Sequence, residues 1–133
     1  IRNIVKNHIL NRMRDAAYAV ALSGQGVGPR YAFRHGAVLF DRSGKILSAK
    51  SNSLKTHPKL AKFTDYPYLH AESACIIGHG MDNCDGLSLL VLRVLKNDQV
   101  SLSKPCVICQ RVIEDAGLKS VYYTDVNGMV KRL

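Results

Sequence analysis

The chain has 133 residues, 47% of them hydrophobic and 22% charged, with a formal net charge of +9. That length and apolar content suffice for a single domain, residues 1–133, whose core needs no covalent staples. No apolar run approaches the roughly 20 residues of a membrane-spanning helix, and no signal-peptide pattern follows Ile1, so a membrane partner is not expected. The charge is lopsided: residues 1–62 carry twelve Lys/Arg against Asp15 and Asp41, net +10, whereas residues 63–133 carry seven against eight acids, net −1. A basic half of this kind either attracts phosphate-bearing ligands and nucleic acid or is simply solvated. Four cysteines, two of them in a C-x-x-C directly after a proline, suit a reduced metal-binding protein better than a disulfide framework, which places the chain in the cytoplasm.

In chain order the pattern predicts helix, two strands, helix, strand, helix and a terminal hairpin. Ile1, Ile4, Val5, Ile9, Met13, Ala16, Ala17, Val20 and Ala21 recur at helical spacing, and Ser23-Gly24 supplies a stop. Tyr31 to Phe40 and Lys45 to Ser51 read as strands about the turn Asp41-Arg42-Ser43-Gly44. The glycines at 24, 26 and 28 precede a strand instead of following one, which excludes a dinucleotide fingerprint. Residues 52–68 hold two prolines and little periodicity and read as a long loop, of the kind that is usually functional. His70 opens a short helix ended by Gly78 or Gly80, and Leu87 to Leu95 is an apolar run suited to a central strand covered on both faces. Pro105 suits the first turn of a helix that runs to about Ala116, with Gly117 as its cap. Leu118 to Thr124 and Met129 to Leu133 are then strands joined at Asp125-Val126-Asn127-Gly128.

Two short motifs carry chemistry. His70-Ala71-Glu72 and Pro105-Cys106-Val107-Ile108-Cys109 each fall at a predicted helix start. One imidazole and two thiolates, from His70, Cys106 and Cys109, give three protein ligands, which leaves a tetrahedral Zn²⁺ one open position for water. Cys106 and Cys109 lie one helical turn apart at a helix N-terminus, where the dipole favours their ionised forms. Glu72, two residues from the histidine, is placed to move a proton. A C-x-x-C alone would as readily be a structural zinc or redox pair, and an isolated H-x-E means little; the two together, in this order and with the proline, are far more specific. Cys75 and Cys84 are read as buried small hydrophobes and not as completing a closed four-cysteine site. His35 and His57 have no partner at ligand spacing, His79 lies too far along its helix from His70 to join the group, and His8 reads as a helix-surface residue.

The pattern H-x-E…P-C-x-x-C resembles that of the cytidine/deoxycytidylate deaminase superfamily, over roughly residue 31 to the end. The resemblance implies an α/β fold: a three-layer sandwich with an approximately five-stranded mixed sheet flanked by helices. The short spacing after Thr124 points to the branch with a C-terminal hairpin. That branch includes the free cytidine deaminases, which usually carry Cys where this chain has His70. His at that place, like the wording Ala116-Gly117-Leu118-Lys119-Ser120-Val121-Tyr122-Tyr123, is more familiar from deoxycytidylate and tRNA adenosine deaminases. The mosaic resembles the compact deaminase-like proteins of phages more than any well-known housekeeping member.

The resemblance further implies one Zn²⁺ per chain and a role for Glu72 in taking the proton of the attacking water, passing it to ring nitrogen N3 of cytosine and helping to expel ammonia from C4. The backbone N–H of Ala71 would meet the base carbonyl and the backbone carbonyl of Lys104 the exocyclic amine, Lys104 standing where relatives often have Glu, Ser or Thr. Asn52 matches the asparagine that binds the sugar or base edge, against the plainer reading of a residue that ends a strand. Phe63, Tyr66 and Tyr68 are candidates for stacking on a base. Lys55, Lys59 and Lys62 read equally as solvated or as phosphate-binding. Three functions follow: a zinc-dependent deaminase of a cytosine nucleoside or nucleotide (dCMP, deoxycytidine or cytidine), a deaminase of cytosine or adenine in single-stranded DNA or RNA, and a non-catalytic zinc fold that binds nucleic acid. Glu72 counts against the third and compactness against the second. The absence of an extra His/Cys insertion counts against nucleotide-triphosphate regulation within the first. Relatives commonly share active sites between subunits, so a homo-oligomer is expected.

Overall fold

The computed structural model describes residues 5–24, 34–52 and 70–133. Helix α1, Asn7–Ser23, buries Ile9, Met13, Ala17 and Ala21, a single stripe at four-residue spacing. Val5 and Lys6 precede the helix, and Ile1 to Ile4 lie outside the described residues. Strands β1, Arg34–Phe40, and β2, Ile46–Ser51, form an antiparallel hairpin. The turn between them is built by one carboxylate: Asp41 accepts the Ser43 N–H at 2.9 Å, the Ser43 hydroxyl at 2.7 Å and the Lys45 N–H at 3.0 Å. Those bonds, the Ser43 hydroxyl foremost, hold the Asp41 carboxyl below its ordinary pKa.

Helix α2, Ala71–His79, starts after His70, which is its N-cap residue, and ends at Gly80. A 3-10 turn, Met81–Asn83, leads to β3, Ser88–Val94, which is buried at every position but Arg93. A two-residue strand β4, Val100–Ser101, folds back on the end of β3. Helix α3, Val107–Ala116, is capped at its N-terminus by Cys106, so Pro105 stands one residue before the cap and not in the first turn as its sequence position suggests. Gly117 closes α3 in the left-handed region, φ 73°. Strands β5, Ser120–Thr124, and β6, Val130–Arg132, make the expected hairpin.

The sheet order is β2-β1-β3-β5-β6, with β4 also on β3. Five strands are legible as sequence; β4 is not, because two residues show no alternation. Among the described strands β3 and β5 alone run parallel, and the crossover between them carries α3. On this edge β3 pairs with β5 through Ser88 to Leu90 and with β4 through Arg93 and Val94. Val38, Phe40, Leu90, Leu92 and Val94 face α1, while Ala37, Leu39, Leu89 and Val91 face α2 and α3. The result is the three-layer sandwich, and β3 is covered on both sides because it supplies side chains to both cores.

Gly36 shows how closely α1 is seated. A Cβ there would overlap the backbone carbonyl oxygen of Ala17, and the Ala21 nitrogen stands just behind it. Gly36→Ala is therefore expected to cost on the order of 2–3 kcal/mol. Gly86→Ala, at φ 79° but in open space, should cost about 1 kcal/mol from backbone strain alone. Urea denaturation of the two variants checks this; equal losses would show that the α1 contact is not the tight one.

Candidate metal centre and active site

Residues at the ends of α2 and α3 converge where the parallel strands β3 and β5 finish, the end at which α/β sheets characteristically bind ligands. His70 and Cys106 are the N-cap residues of the two helices, and Cys109 sits in the first turn of α3. One ligand atom from each of His70, Cys106 and Cys109 lies within 4.8 Å of the other two, the one group of this kind among the described residues. His70 Nδ1 stands 3.2 Å from Cys109 Sγ and 3.6 Å from Cys106 Sγ. Zn–N and Zn–S bonds of ordinary length at a tetrahedral angle separate nitrogen from sulfur by about 3.6 Å. The donor set and its spacing thus fit a divalent, thiophilic ion.

The supporting contacts are equally specific. Cys106 Sγ accepts the Cys109 N–H at 3.5 Å, so the first thiolate is also the helix cap. Ser73 Oγ lies 3.4 Å from Cys109 Sγ. The segment ahead of Pro105 is pinned by Ser103, whose hydroxyl donates to the Val91 carbonyl at 2.8 Å and accepts the Thr124 N–H at 2.8 Å. Thr124 in turn hydrogen-bonds the Ser101 carbonyl at 2.6 Å. Ser103 thereby ties the approach to Cys106 onto both β3 and β5.

The electrostatics favour one thiolate at once. The hydrogen bond from Cys109, aided by His70, holds Cys106 far below the usual thiol pKa. Cys109 is pushed up by the same pairing, by burial and by Glu72. His70 is raised, chiefly by its hydrogen bond to Cys106. A bound cation supplies the positive charge that would let the second thiol ionise. Glu72 is 4% exposed, and burial lifts its carboxyl above the ordinary value against the pull of His70.

Of the other sequence candidates, Ala71 is fully buried as the first residue of α2 and Lys104 is exposed beside Pro105. Asn52 is 4% exposed at the end of β2, where its Oδ1 accepts the His35 N–H at 3.1 Å and its own N–H reaches the His35 carbonyl at 3.4 Å. Phe63, Tyr66, Tyr68, Lys55, Lys59, Lys62 and His57 lie outside the described residues. Cys75 and Cys84 stay apart from the ligand group: the Cys75 thiol donates toward the Ala37 and Ser48 carbonyls, and that of Cys84 toward Gly80. His35 has no partner at ligand spacing in the sequence, yet the structure sets it beside the site. Burial foremost, then Arg93 and His70, push its imidazole down to about 4, while Cys106 opposes them. The available signal is parity: His35 shares a strand face with Ala37 and Leu39.

The sequence matches no protein-family model and no curated protein. Solved structures do resemble it. The crystal structure of dCMP deaminase from the cyanophage S-TIM5 in apo form superposes with a TM-score of 0.63 at 22% identity, over 91% of this chain and 86% of that one. The same enzyme in complex with dCMP and dUMP gives 0.62 at 21% identity, over 92% and 85%. The chain thus has the cytidine/deoxycytidylate deaminase fold, and it carries in that fold a His-Cys-Cys group able to hold a metal ion.

Zn²⁺ added to the metal-free protein should protect Cys106, whose thiol is half-buried and held far below the usual pKa, from alkylation. Cys75, raised to about 11 by burial, and Cys84 should react only on unfolding. Ser73→Ala is expected to weaken the ion about tenfold in a chelator competition. Four thiols reacting alike with and without zinc would exclude the site.

Proposed function

We propose that the chain is a zinc-dependent hydrolytic deaminase that converts a cytosine nucleoside or nucleotide to its uracil analogue, with dCMP the foremost substrate. The observation that carries this reading is the gathering of His70 Nδ1 and two cysteine sulfurs into one group, with a buried carboxyl, Glu72, two residues along the chain from the histidine. Support comes from the fold and from the phage neighbour, whose complex holds dCMP and dUMP, a pair that differs by the replacement of an amine by a carbonyl.

In this reading His70, Cys106 and Cys109 hold the ion. Zinc, when bound with an open position, makes water nucleophilic near neutral pH. Glu72 takes the water's proton and delivers it to N3 of the ring as C4 is attacked. The carboxyl next helps transfer a proton to the amine, and ammonia leaves with water's oxygen retained at C4. Burial suits Glu72 to this work, because a raised pKa brings the carboxyl nearer to neutral pH, where one group can both accept a proton and give it up. The Ala71 N–H meets the base carbonyl, the Lys104 carbonyl orients the leaving amine, and Asn52 meets the sugar or base edge of the nucleoside. Among Phe63, Tyr66 and Tyr68 we look for the aromatic ring on which the base stacks.

The net charge of +10 on residues 1–62 favours a second reading, deamination of an unstacked base in single-stranded DNA or RNA. One assay separates the two. Zinc-loaded protein is offered dCMP, deoxycytidine, cytidine and cytosine-containing single-stranded DNA, and products are sought at a gain of about one dalton. Turnover of the small compounds is expected, with Glu72→Gln lowering kcat by about 10²–10⁴-fold at unchanged zinc content. Turnover of DNA alone would replace the first reading by the second, and silence on all four would refute the first reading and action on cytosine in DNA. The proposal includes a homo-oligomer, and light scattering that gives a monomer at micromolar concentration would remove that part.

A further inference from the structure

Three strands end level with one another beside the metal-ligand group, and each places a polar residue on the same face. Gly36 faces α1, because a Cβ on it would run into Ala17 and Ala21 of that helix. His35, its neighbour in the strand, therefore faces the other way, as Ala37 and Leu39 do, toward α2. On β3 the register sets Arg93 opposite His35, and Arg93 shares its face with Leu89 and Val91, which also pack toward α2 and α3. On β2, Ser48 and Lys50 lie against Gly78 of α2, and Asn52 follows them at the same parity. Asn52, His35 and Arg93 thus form a row across β2, β1 and β3 on the face that carries the metal ligands.

The level of the row along the strands matters as much as the face. Cys75 of α2 bonds the Ala37 carbonyl, and Ala71 stands one helical turn nearer the ligand group. His35 stands two residues beyond Ala37, about 7 Å along β1. The rises match, so the imidazole reaches the level of Ala71 and His70, just past the end of the helix. Burial, then Arg93 and His70, lower the imidazole pKa of His35 and Cys106 raises it, in keeping with this position.

We propose that His35 is a substrate-contacting, specificity-determining residue: it forms the floor of the base pocket and hydrogen-bonds the polar edge of the bound pyrimidine, with Asn52 fixing its backbone. The inference rests on the deaminase reading and goes beyond it by assigning a recognition group outside both motifs. A neutral imidazole has one donor and one acceptor and can meet either a ring carbonyl or a ring N–H. The two hydrogen bonds between Asn52 and the His35 backbone hold that strand end in register. Removing a hydrogen-bonding partner from a buried recognition site harms specificity more than removing a methylene does, because the group left behind is unpaired.

The test compares His35→Phe, which keeps a flat ring without polar atoms, and His35→Gln, which keeps a donor and an acceptor, with the wild type. Steady-state kcat and KM for dCMP and deoxycytidine are measured together with zinc content, melting temperature and the affinity for the product dUMP by calorimetry. His35→Phe should lower kcat/KM about tenfold, mainly through KM, and weaken dUMP to a similar degree, at full zinc content. His35→Gln should recover most of the loss. Values for His35→Phe within twofold of wild type, or a loss that follows zinc content or melting temperature, would overturn the inference while leaving the deaminase reading intact. A wild-type protein that neither turns over nor binds any pyrimidine would remove both.

Discussion

The approach of two helix starts to one another is the constraint on which the rest depends. His70 Nδ1 can stand 3.2 Å from Cys109 Sγ only if α2 and α3 lie side by side with their N-termini level. The sheet enforces this through a short chain of buried bonds. Ser103 joins β3 to β5 at the point where β5 gives way to β4 as the partner of β3, and the polypeptide leaves Ser103 for Cys106 with a single proline before the cap. Cys106 then both ends the loop and begins the helix, since its sulfur accepts the Cys109 N–H. A sulfur that belongs to the group able to hold a metal ion and also caps the helix couples the geometry of that group to helix formation.

Buried polarity elsewhere follows the same economy. Ser88 and Ser120 exchange a hydrogen bond of 2.6 Å between the two parallel strands, and Thr124 satisfies its hydroxyl and its N–H within the Ser103 network. Glu72 differs from them: it is as buried as they are, and burial raises its pKa. A buried carboxyl of this kind is unfavourable for a scaffold and useful to proton transfer. The thiol pair is asymmetric in the same sense, one sulfur ionising readily and the other held back until a cation arrives.

Much of this is legible from residues alone because the signals are local. A C-x-x-C after proline and a histidine before an apolar helix announce themselves within a few residues, and Asn127-Gly128 marks the final hairpin. Less local features escape. Strand β4 owes its existence to pairing with Arg93 and Val94, not to any pattern in Val100-Ser101. Proline is common in a first helical turn, which is where sequence alone sets Pro105, whereas the sulfur of Cys106 takes the capping position one residue later. His35 has no sequence neighbour to explain it; parity sets it with Ala37 and Leu39, and the seating of Gly36 against α1 shows that their shared face is turned away from that helix.

The margins of the sheet carry a consequence for how copies of this chain meet. Among the described residues β2 pairs only with β1 and β6 only with β5, so these are the two outer strands. Strand β6 is three residues long and includes Lys131 and Arg132, and β2 carries the exposed Lys50. The shortness of β6 and the cationic side chains of both borders discourage another strand from adding on, since a like border would bring the same charges face to face. Extension of the sheet from one molecule into the next is thereby disfavoured, and self-association is steered toward surfaces where side chains, not backbone amides, make the contact.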